Sequence, residues 1–464
     1  MKKRKGLTWY LFLFAVLLLP LSGCSLTNST ENSNEARALA EEAYIFAYPM
    51  LENYRTMQVQ AISPDRFNRF KHATEIMGPE YKDIVRPNND TLYSTLWLDL
   101  RAEPMVLHIP PITDRYYSFQ FVDMYTHNFA YTGVRTTGTR GGVFMVAGPE
   151  WNGEKPAGVN EVFRSEGNFV LCLVRTALEG PEDLENVHAI QSRYDVEPLS
   201  GFLGVAPPAP SSMDVFPLYL QPAAESVHFI NYFNFLLGRL KVHPSEEELI
   251  ERFGAIGIGP GFYFNADNFS PEIRAAIEAG IASAIKQIEA SREILGERKN
   301  GWVLTRRIFG NRERMQGLYL VRAGAARMGL YGNDLEEAYY PTGNLDADGE
   351  LFDASKHSYV LRFEKDEIPP VDAFWSITMY NLPEQLMVEN PIGRYSIGDR
   401  TEGLTFGEDG SLELYFSKTS PGGEKERNWL PTPDGPFSLT LRMYLPHERA
   451  LDPLYAPPVI RKAE

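Results

Sequence analysis

The sequence is poor in the residues that build metal clusters and disulfide frameworks. It holds two cysteines, Cys24 and Cys172, and eight histidines in 464 residues. The histidines are scattered, with no His-Glu-x-x-His and no paired cysteine spacing, so neither a transition-metal site nor a cofactor is expected. A Gly-x-Ser-x-Gly elbow is also missing, which removes the main support for an α/β-hydrolase. Ser283-Ala284-Ile285-Lys286 has Ser-x-x-Lys spacing, but it falls inside an isoleucine-striped helical pattern, where chance explains it. Gly257-Ile258-Gly259-Pro260-Gly261 lacks the spacing and context of a dinucleotide loop. Basic residues are short as well: 45 against 61 acidic ones, a formal net charge of −16. That balance argues against a nucleic-acid partner and against electrostatic adhesion to anionic lipid.

Long apolar runs are scarce too. One run, Leu7 to Leu19, is broken only by Thr8; it follows Lys2-Lys3-Arg4-Lys5 and precedes Leu21-Ser22-Gly23-Cys24. A basic start, an apolar stretch too short for ~30 Å of hydrocarbon and small residues at a cut site describe a secretory signal over residues 1–23. The ending resembles the bacterial lipobox, which implies that Cys24 receives a diacylglycerol and becomes the mature N-terminus. Ser25 behind it resembles the pattern sorted to the outer membrane, facing the periplasm, where the host has two membranes. The expectation is a cell-envelope protein that meets the membrane through its acyl chains alone. Polar residues 24–35 would form a tether. With Cys24 lipidated, Cys172, inside Phe169-Val170-Leu171-Cys172-Leu173-Val174, is expected as a buried strand residue.

Leu39, Ala43, Phe46, Met50, Tyr54 and Met57 recur at threes and fours and predict an amphipathic helix, which Pro49 should kink or interrupt. From Asp90 to Arg175 the pattern changes to short strands: Thr91–Leu98, Tyr116–Val122 and Gly142–Ala147, separated by glycine and proline turns. Residues 198–222 read as a proline-rich linker. Ser270 and Pro271 then open a helix striped by Ile273, Ile277, Ile281, Ile285 and Ile288, and a second helix covers Glu313 to Met328. Strand patterns return from Tyr359 to Leu445. The predicted organisation is an N-terminal domain over 36–215 (helix, then β-sandwich), a helical segment over 216–335 and a C-terminal β-sandwich over 336–464.

Several longer stretches carry a family resemblance. Asn88-Asn89-Asp90-Thr91-Leu92-Tyr93-Ser94, Trp97-Leu98-Asp99-Leu100, Arg115-Tyr116-Tyr117 and Gly148-Pro149-Glu150-Trp151-Asn152-Gly153 resemble the bacterial domain of unknown function DUF1254. Phe374–Tyr380, Arg394–Gly398, Asp409–Leu412, Asn428–Pro431 and Leu441–Tyr444 resemble its usual partner, DUF1214. The resemblance implies a mainly β protein, two jelly-roll-like antiparallel β-sandwiches joined by an α-helical region. It implies no reaction.

Function must therefore be sought in residues. Arg86, Asn88, Asn89 and Asp90 crowd around Pro87 just before a strand. They either shape a turn through side-chain to backbone bonds or line a pocket, with Asp90 as a general base and Tyr93 as a donor. At a period of two, Asp123, Tyr125 and His127 would share one face, polar enough for a ligand and equally suited to solvent, and Asp123, beside a strand of the same domain, could join Asp90 as a catalytic carboxylate in one pocket. Arg135 and Arg140 bracket a hairpin and could hold a carboxylate. Trp375 and Tyr380 read as core. Arg394 and Trp429 mix charge and aromatic surface in loops, fit for a ligand or an interface. Two functions stay open: binding or hydrolytic-type processing of a small organic molecule in a polar pocket of the first sandwich, and a structural module that forms a homo-oligomer.

The address is testable first. Cys24→Ser should abolish lipid labelling and release the protein from membranes; unchanged membrane fractionation of the variant would overturn the lipoprotein expectation.

Overall fold

Alternation at period two decides the architecture. The computed structural model describes residues 33–82 and 85–463, so the signal, Cys24 and the tether up to residue 32 lie outside the described residues. Among the described residues, nine strands precede residue 200: β1 (Lys71–His72), β2 (Thr91–Asp99), β3 (Met105–Ile109), β4 (Tyr117–Val122), β5 (Asn128–Gly133), β6 (Gly142–Ala147), β7 (Glu161–Arg164), β8 (Phe169–Ala177) and β9 (Asp195–Pro198). They form a five-stranded sheet, β1-β2-β8-β4-β5, and a four-stranded sheet, β7-β6-β3-β9. Leu96, Leu98, Phe119, Val170, Cys172 and Val174 meet Leu107, Phe144 and Val146 in the core between them. Cys172 is wholly buried, and burial pushes its thiol well above the ordinary value, which leaves it inert.

The second sandwich uses β10 (Glu297–Lys299), β11 (Trp302–Leu304), β12 (Ala338–Tyr339), β13 (Thr342–Gly343), β14 (Tyr359–Phe363), β15 (Val371–Asn381), β16 (Ser396–Gly398), β17 (Leu412–Ser417), β18 (Trp429–Pro431), β19 (Phe437–Pro446) and β20 (Ile460–Lys462). A seven-stranded sheet in the order β10-β11-β13-β19-β15-β16, with β12 also on β19, faces a four-stranded sheet, β18-β17-β14-β20. Trp375, Ile377, Leu439 and Leu441 pack on Leu361, Phe363, Leu412 and Leu414. Pairing is antiparallel throughout apart from β6 with β7 and β17 with β18, which run parallel.

The longer helices are α1 (Ser33–Met57), α2 (Phe229–Leu237), α3 (Pro271–Ala290) and α4 (Tyr319–Met328). Ser270 Oγ accepts from Ile273 N at 3.3 Å, the expected N-cap. Four features differ from the sequence expectation. The tether ends earlier, because Ser33–Glu35 already form the first turn of α1, where Glu35 suits the positive helix end. α1 runs on through Pro49; its flanks are buried on every side, and that packing outweighs the ~3 kcal/mol local penalty. The helix expected over 313–328 splits into Arg312–Met315 and α4, because the chain turns at Gly317, φ 74°. Finally, α1 packs with the later helices rather than inside its own sandwich. Its stripe of Leu39, Ala43, Phe46 and Met50 joins Ile277, Ile281 and Ile288 of α3, since the sandwich core is already closed by its own strands.

The α1–α3 crossing is tight at Gly280. A Cβ there would land on the Arg37 carbonyl oxygen and lie 2.9 Å from Ala40 Cβ. Alanine gains about 1 kcal/mol of helix propensity, but overpacking against a backbone costs about 1–3 kcal/mol. Gly280→Ala should therefore lower stability by about 1 kcal/mol, read as an earlier urea midpoint. A later midpoint would mean that the helices separate freely.

Candidate functional site

The outer face of the five-stranded sheet is divided along its strands. At one end Trp97, Val122, Phe169 and Leu171 join the helical core. At the other end the equivalent positions hold Tyr93, Arg175 and Ser118, aligned across β2, β8 and β4, with Gln120 beside them. The seven-stranded sheet shows the same division between its two faces. One is apolar; the other carries Ser376, Thr378 and Tyr380 from β15 and Ser438, Thr440, Arg442 and Tyr444 from β19, all buried. The two polar faces meet, and the segment before β2 lies between them.

That segment is built from hydrogen bonds. Arg86, held at φ 53°, donates to Gln385 Oε1 at 2.7 Å, Thr440 Oγ1 at 2.8 Å and Ser438 Oγ at 3.4 Å. A left-handed backbone at a non-glycine residue is strained and persists only where its surroundings hold it. Tyr380 OH donates to Pro87 O at 2.7 Å. Asn88 Oδ1 accepts from Asp90 N at 2.9 Å, which closes an Asx turn. Its Nδ2 lies 3.0 Å from Thr91 Oγ1, 3.2 Å from Tyr93 OH and 3.0 Å from Tyr444 OH. Two amide protons thus serve three oxygens contributed by both domains. Asp90 Oδ2 accepts from Ser376 Oγ at 2.6 Å, and Oδ1 lies 3.6 Å from Arg400 Nη2. Asn89 Oδ1 is buried without a hydrogen-bond partner. The turn is also part of the domain interface: one side chain, Asn88, shapes the turn and reaches across to the second domain.

Two more buried arginines complete the seam. Arg175 donates to Gln120 Oε1 at 2.6 Å, Asn333 Oδ1 at 3.1 Å and Tyr331 O at 2.9 Å, and its guanidinium lies 5.4 Å from the Tyr93 ring centroid. Arg442 donates to Thr378 Oγ1 at 2.6 Å and Tyr380 OH at 2.7 Å. Burial pushes the Tyr93 phenol up, but Arg175, the bond from Asn88 and Arg442 outweigh it and hold Tyr93 below the ordinary tyrosine value. Burial raises Tyr116, Tyr340, Tyr380 and Tyr444 instead.

The structure does not bring Asp123 to Asp90. Asp90 O accepts from Leu178 N, whereas Val122, the residue before Asp123, lies opposite Leu171. Along β8 that places the two carboxylates roughly 20 Å or more apart, so they share no pocket. Nor do Asp123, Tyr125 and His127 alternate on a strand. β4 ends at Val122, and Asp123 Oδ1 accepts from His127 N at 2.8 Å across a turn in which Thr126 has φ 70°. There Asp123 Oδ2 is 3.3 Å from His127 Nδ1, and Arg312 bridges Glu166 and Glu246 while stacking 4.5 Å above Tyr125. Burial lowers His127, with Asp123 opposing. Burial raises the Asp123 carboxyl, but His127 and Arg312 outweigh it and hold it low. Tyr125 OH is buried without a partner.

The remaining candidates are occupied structurally. Arg135 Nε pairs with Glu337 at 2.5 Å, and Glu337 also accepts from Tyr116 OH at 2.7 Å, so Arg135 stands at the edge of the seam. Arg394 donates to the carbonyls of Glu426, Arg427 and Trp429, and Trp429 Nε1 donates to Ser417 O at 2.9 Å. They tie β18 to its neighbours, away from the seam. Sequence reasoning missed Arg175, Arg442, Tyr444, Ser376 and Thr378. The signal was present: Ser438-x-Thr440-x-Arg442-x-Tyr444 and Ser376-x-Thr378-x-Tyr380 alternate at period two with large apolar residues.

Two β-sandwiches that meet polar face to polar face, beside a helical layer, define a class of two-domain protein. The chain belongs to the family of proteins of unknown function that pairs DUF1254, matched over residues 67–198, with DUF1214, matched over 337–448. The two matched regions face each other across the seam. Among solved structures, the chain resembles the VPA0106 protein from Vibrio parahaemolyticus, with 28% identity, TM-score 0.76, and coverage of 92% of this chain and 100% of that one. An uncharacterized protein from Burkholderia cenocepacia is more distant, with 14% identity and TM-score 0.42 over 93% of this chain and 92% of that one. No curated protein matches the chain.

The Asp123–His127 pair yields a pH prediction. A histidine lowered by burial stays neutral in the fold while the unfolded chain takes up a proton below its ordinary pKa. Its contribution to stability is thus present above about pH 6.5 and lost as pH falls below it; the Asp123 contribution goes only below about pH 3.9. The stability difference between wild type and His127→Gln should shrink on going from about pH 7 to about pH 5. A difference independent of pH, measured by urea denaturation, would remove His127 from that role.

Proposed function

We propose that the chain is a lipid-anchored envelope protein that binds a small polar organic molecule at the interdomain seam, with the Tyr93 hydroxyl as the group that meets it. The observation that carries this reading is the Asn88 amide, which reaches Tyr93 OH from one domain and Tyr444 OH from the other beside Arg175 and Arg442. Plain packing of two sheets needs none of these groups, and apolar residues of similar volume are often at least as stabilising as buried charge. Asp90, bonded to Ser376, positions the segment that carries Asn88. In this reading the ligand site lies outside the first sandwich, on its back face. The second reading, a structural module that assembles through its sandwiches, draws on the direct bonds across the seam from Arg86 to Thr440 and from Ser376 to Asp90.

Tyr93→Phe separates the two. It keeps the ring and removes one hydroxyl, and Asn88 retains Thr91 and Tyr444 as acceptors, so stability should fall by about 1 kcal/mol or less. A thermal-shift screen of polar metabolites against the wild type should yield ligands whose shift Tyr93→Phe strongly reduces. If such ligands turn over, the loss in rate should be about 100-fold or more. Hits that ignore the substitution, or a screen without hits, would favour the structural module.

A further inference from the structure

Outside the seam most well-covered guanidiniums have carboxylate partners: Arg101 pairs with Asp99 at 2.7 Å, Arg115 with Asp183 at 2.5 Å, and Arg312 with Glu166 and Glu246; Arg322, 3% exposed and bonded to the Tyr125 carbonyl, is the exception, with Glu246 and Asp123 near enough to offset its charge. Arg86, Arg175 and Arg442 have no carboxylate partner; each of their hydrogen bonds ends on a hydroxyl, an amide or a backbone carbonyl. Arg175 and Arg442 are 4% and 5% exposed, so water does not replace the missing partner.

The carboxylates nearby are committed elsewhere. Asp90 accepts from Ser376 and faces Arg400. Asp399, beside Arg400, is pushed up to about 6 by burial, and Glu337 is bound by Arg135 and Tyr116. Asp334, raised by burial, accepts from Asn128. Positive charge therefore exceeds negative charge in a region from which water is largely withdrawn, and a buried charge without a partner is unfavourable. Tyr93 and Tyr340 are half-buried beside these charged groups.

We propose that the ligand of the seam presents an oxyanion, a carboxylate or a group of like geometry, to Arg175 and Arg442. This rests on the seam being a ligand site. The planar guanidinium fork matches such a group and favours it over a spherical ion. Bound there, the oxyanion supplies the missing negative charge and makes a phenolate at Tyr93 less favourable, so Tyr93 stays protonated and can donate toward the ligand.

The test uses the full chain with its anchor, in detergent, dialysed into chloride buffer. Thermal melts are recorded with acetate, with inorganic phosphate and with chloride at equal ionic strength. Acetate or phosphate should give a saturable rise in Tm of about 2–4 °C that chloride lacks, and Arg442→Met should abolish it. Because a variant with a changed buried charge can fail to fold, a second readout uses the wild type: phenolate difference absorbance during a pH titration. The first phenolate to appear, absent in Tyr93→Phe, should move to higher pH when the oxyanion is present. If neither oxyanion differs from chloride in both readouts, the inference is wrong. If neutral molecules then bind in a Tyr93-dependent way, the seam remains a ligand site and only its anionic character falls; if nothing binds, both readings fall.

Discussion

The structure turns on a buried polar layer between two sheets. β-sandwiches are ordinarily closed by apolar faces, and each sandwich here has such a core of its own. What joins them is different. Alternate positions of β2, β8, β15 and β19 aim hydroxyls, amides and guanidiniums inward, and a non-directional contact becomes a set of directional ones. A register slip of one residue would set Arg442 and Thr440 against the apolar core and Leu441 and Met443 against the seam. Polar groups that must find partners at fixed distances penalise that error more strongly than apolar packing does. The Phe374–Tyr444 stack, 4.3 Å between centroids, and Tyr116 beside it add the apolar part of the join.

The same layer separates the tasks of the five-stranded sheet. One end of its outer face is covered by helices that bury Trp97, Phe169 and Leu171, the other by the C-terminal domain. Each end holds a buried ionic group. At the helical end acids and bases are matched through Arg312, Glu166, Glu246 and the Asp123–His127 pair. At the seam they are not. Both ends are equally removed from solvent, so the difference lies in charge balance rather than in depth.

Strands and caps were legible in the sequence because their causes are local. The apolar alternation of β2 and β4, the Ser270–Pro271 start of α3 and the burial of Cys172 depend on neighbours a few residues away. The seam was not legible for a physical reason. Ser-x-Thr-x-Arg-x-Tyr alternating with apolar residues is the pattern of any sheet with one wet face, and only the tertiary fold decides whether a second sheet covers that face. Asn88 and Asp90 stood out because the density of polar side chains around Pro87 exceeds what a turn requires. Asp123, Tyr125 and His127 were grouped correctly but given the wrong geometry, since a strand period was extended past the end of β4. Pro49 shows the opposite case: it does not interrupt α1, whose burial on all sides outweighs the local penalty.

Neither half of the seam is a finished surface without the other. Removing the C-terminal sheet would leave Tyr93, Arg175, Ser118 and Gln120 uncovered. It would also deprive Arg86 of Thr440 and Gln385, and Asp90 of Ser376. Removing the N-terminal sheet would strip Tyr444 of Asn88 and Tyr380 of the Pro87 carbonyl. Arg86 sits in a strained backbone conformation that only these partners hold, and the Asn88 turn follows directly from it. The segment 86–90 therefore takes its shape from both domains at once. A small change in how the sheets lie on each other would move Asn88 relative to Tyr93 and Tyr444 together. The arrangement of this segment thus belongs to the pair of domains, whose matched regions face each other, and to neither alone.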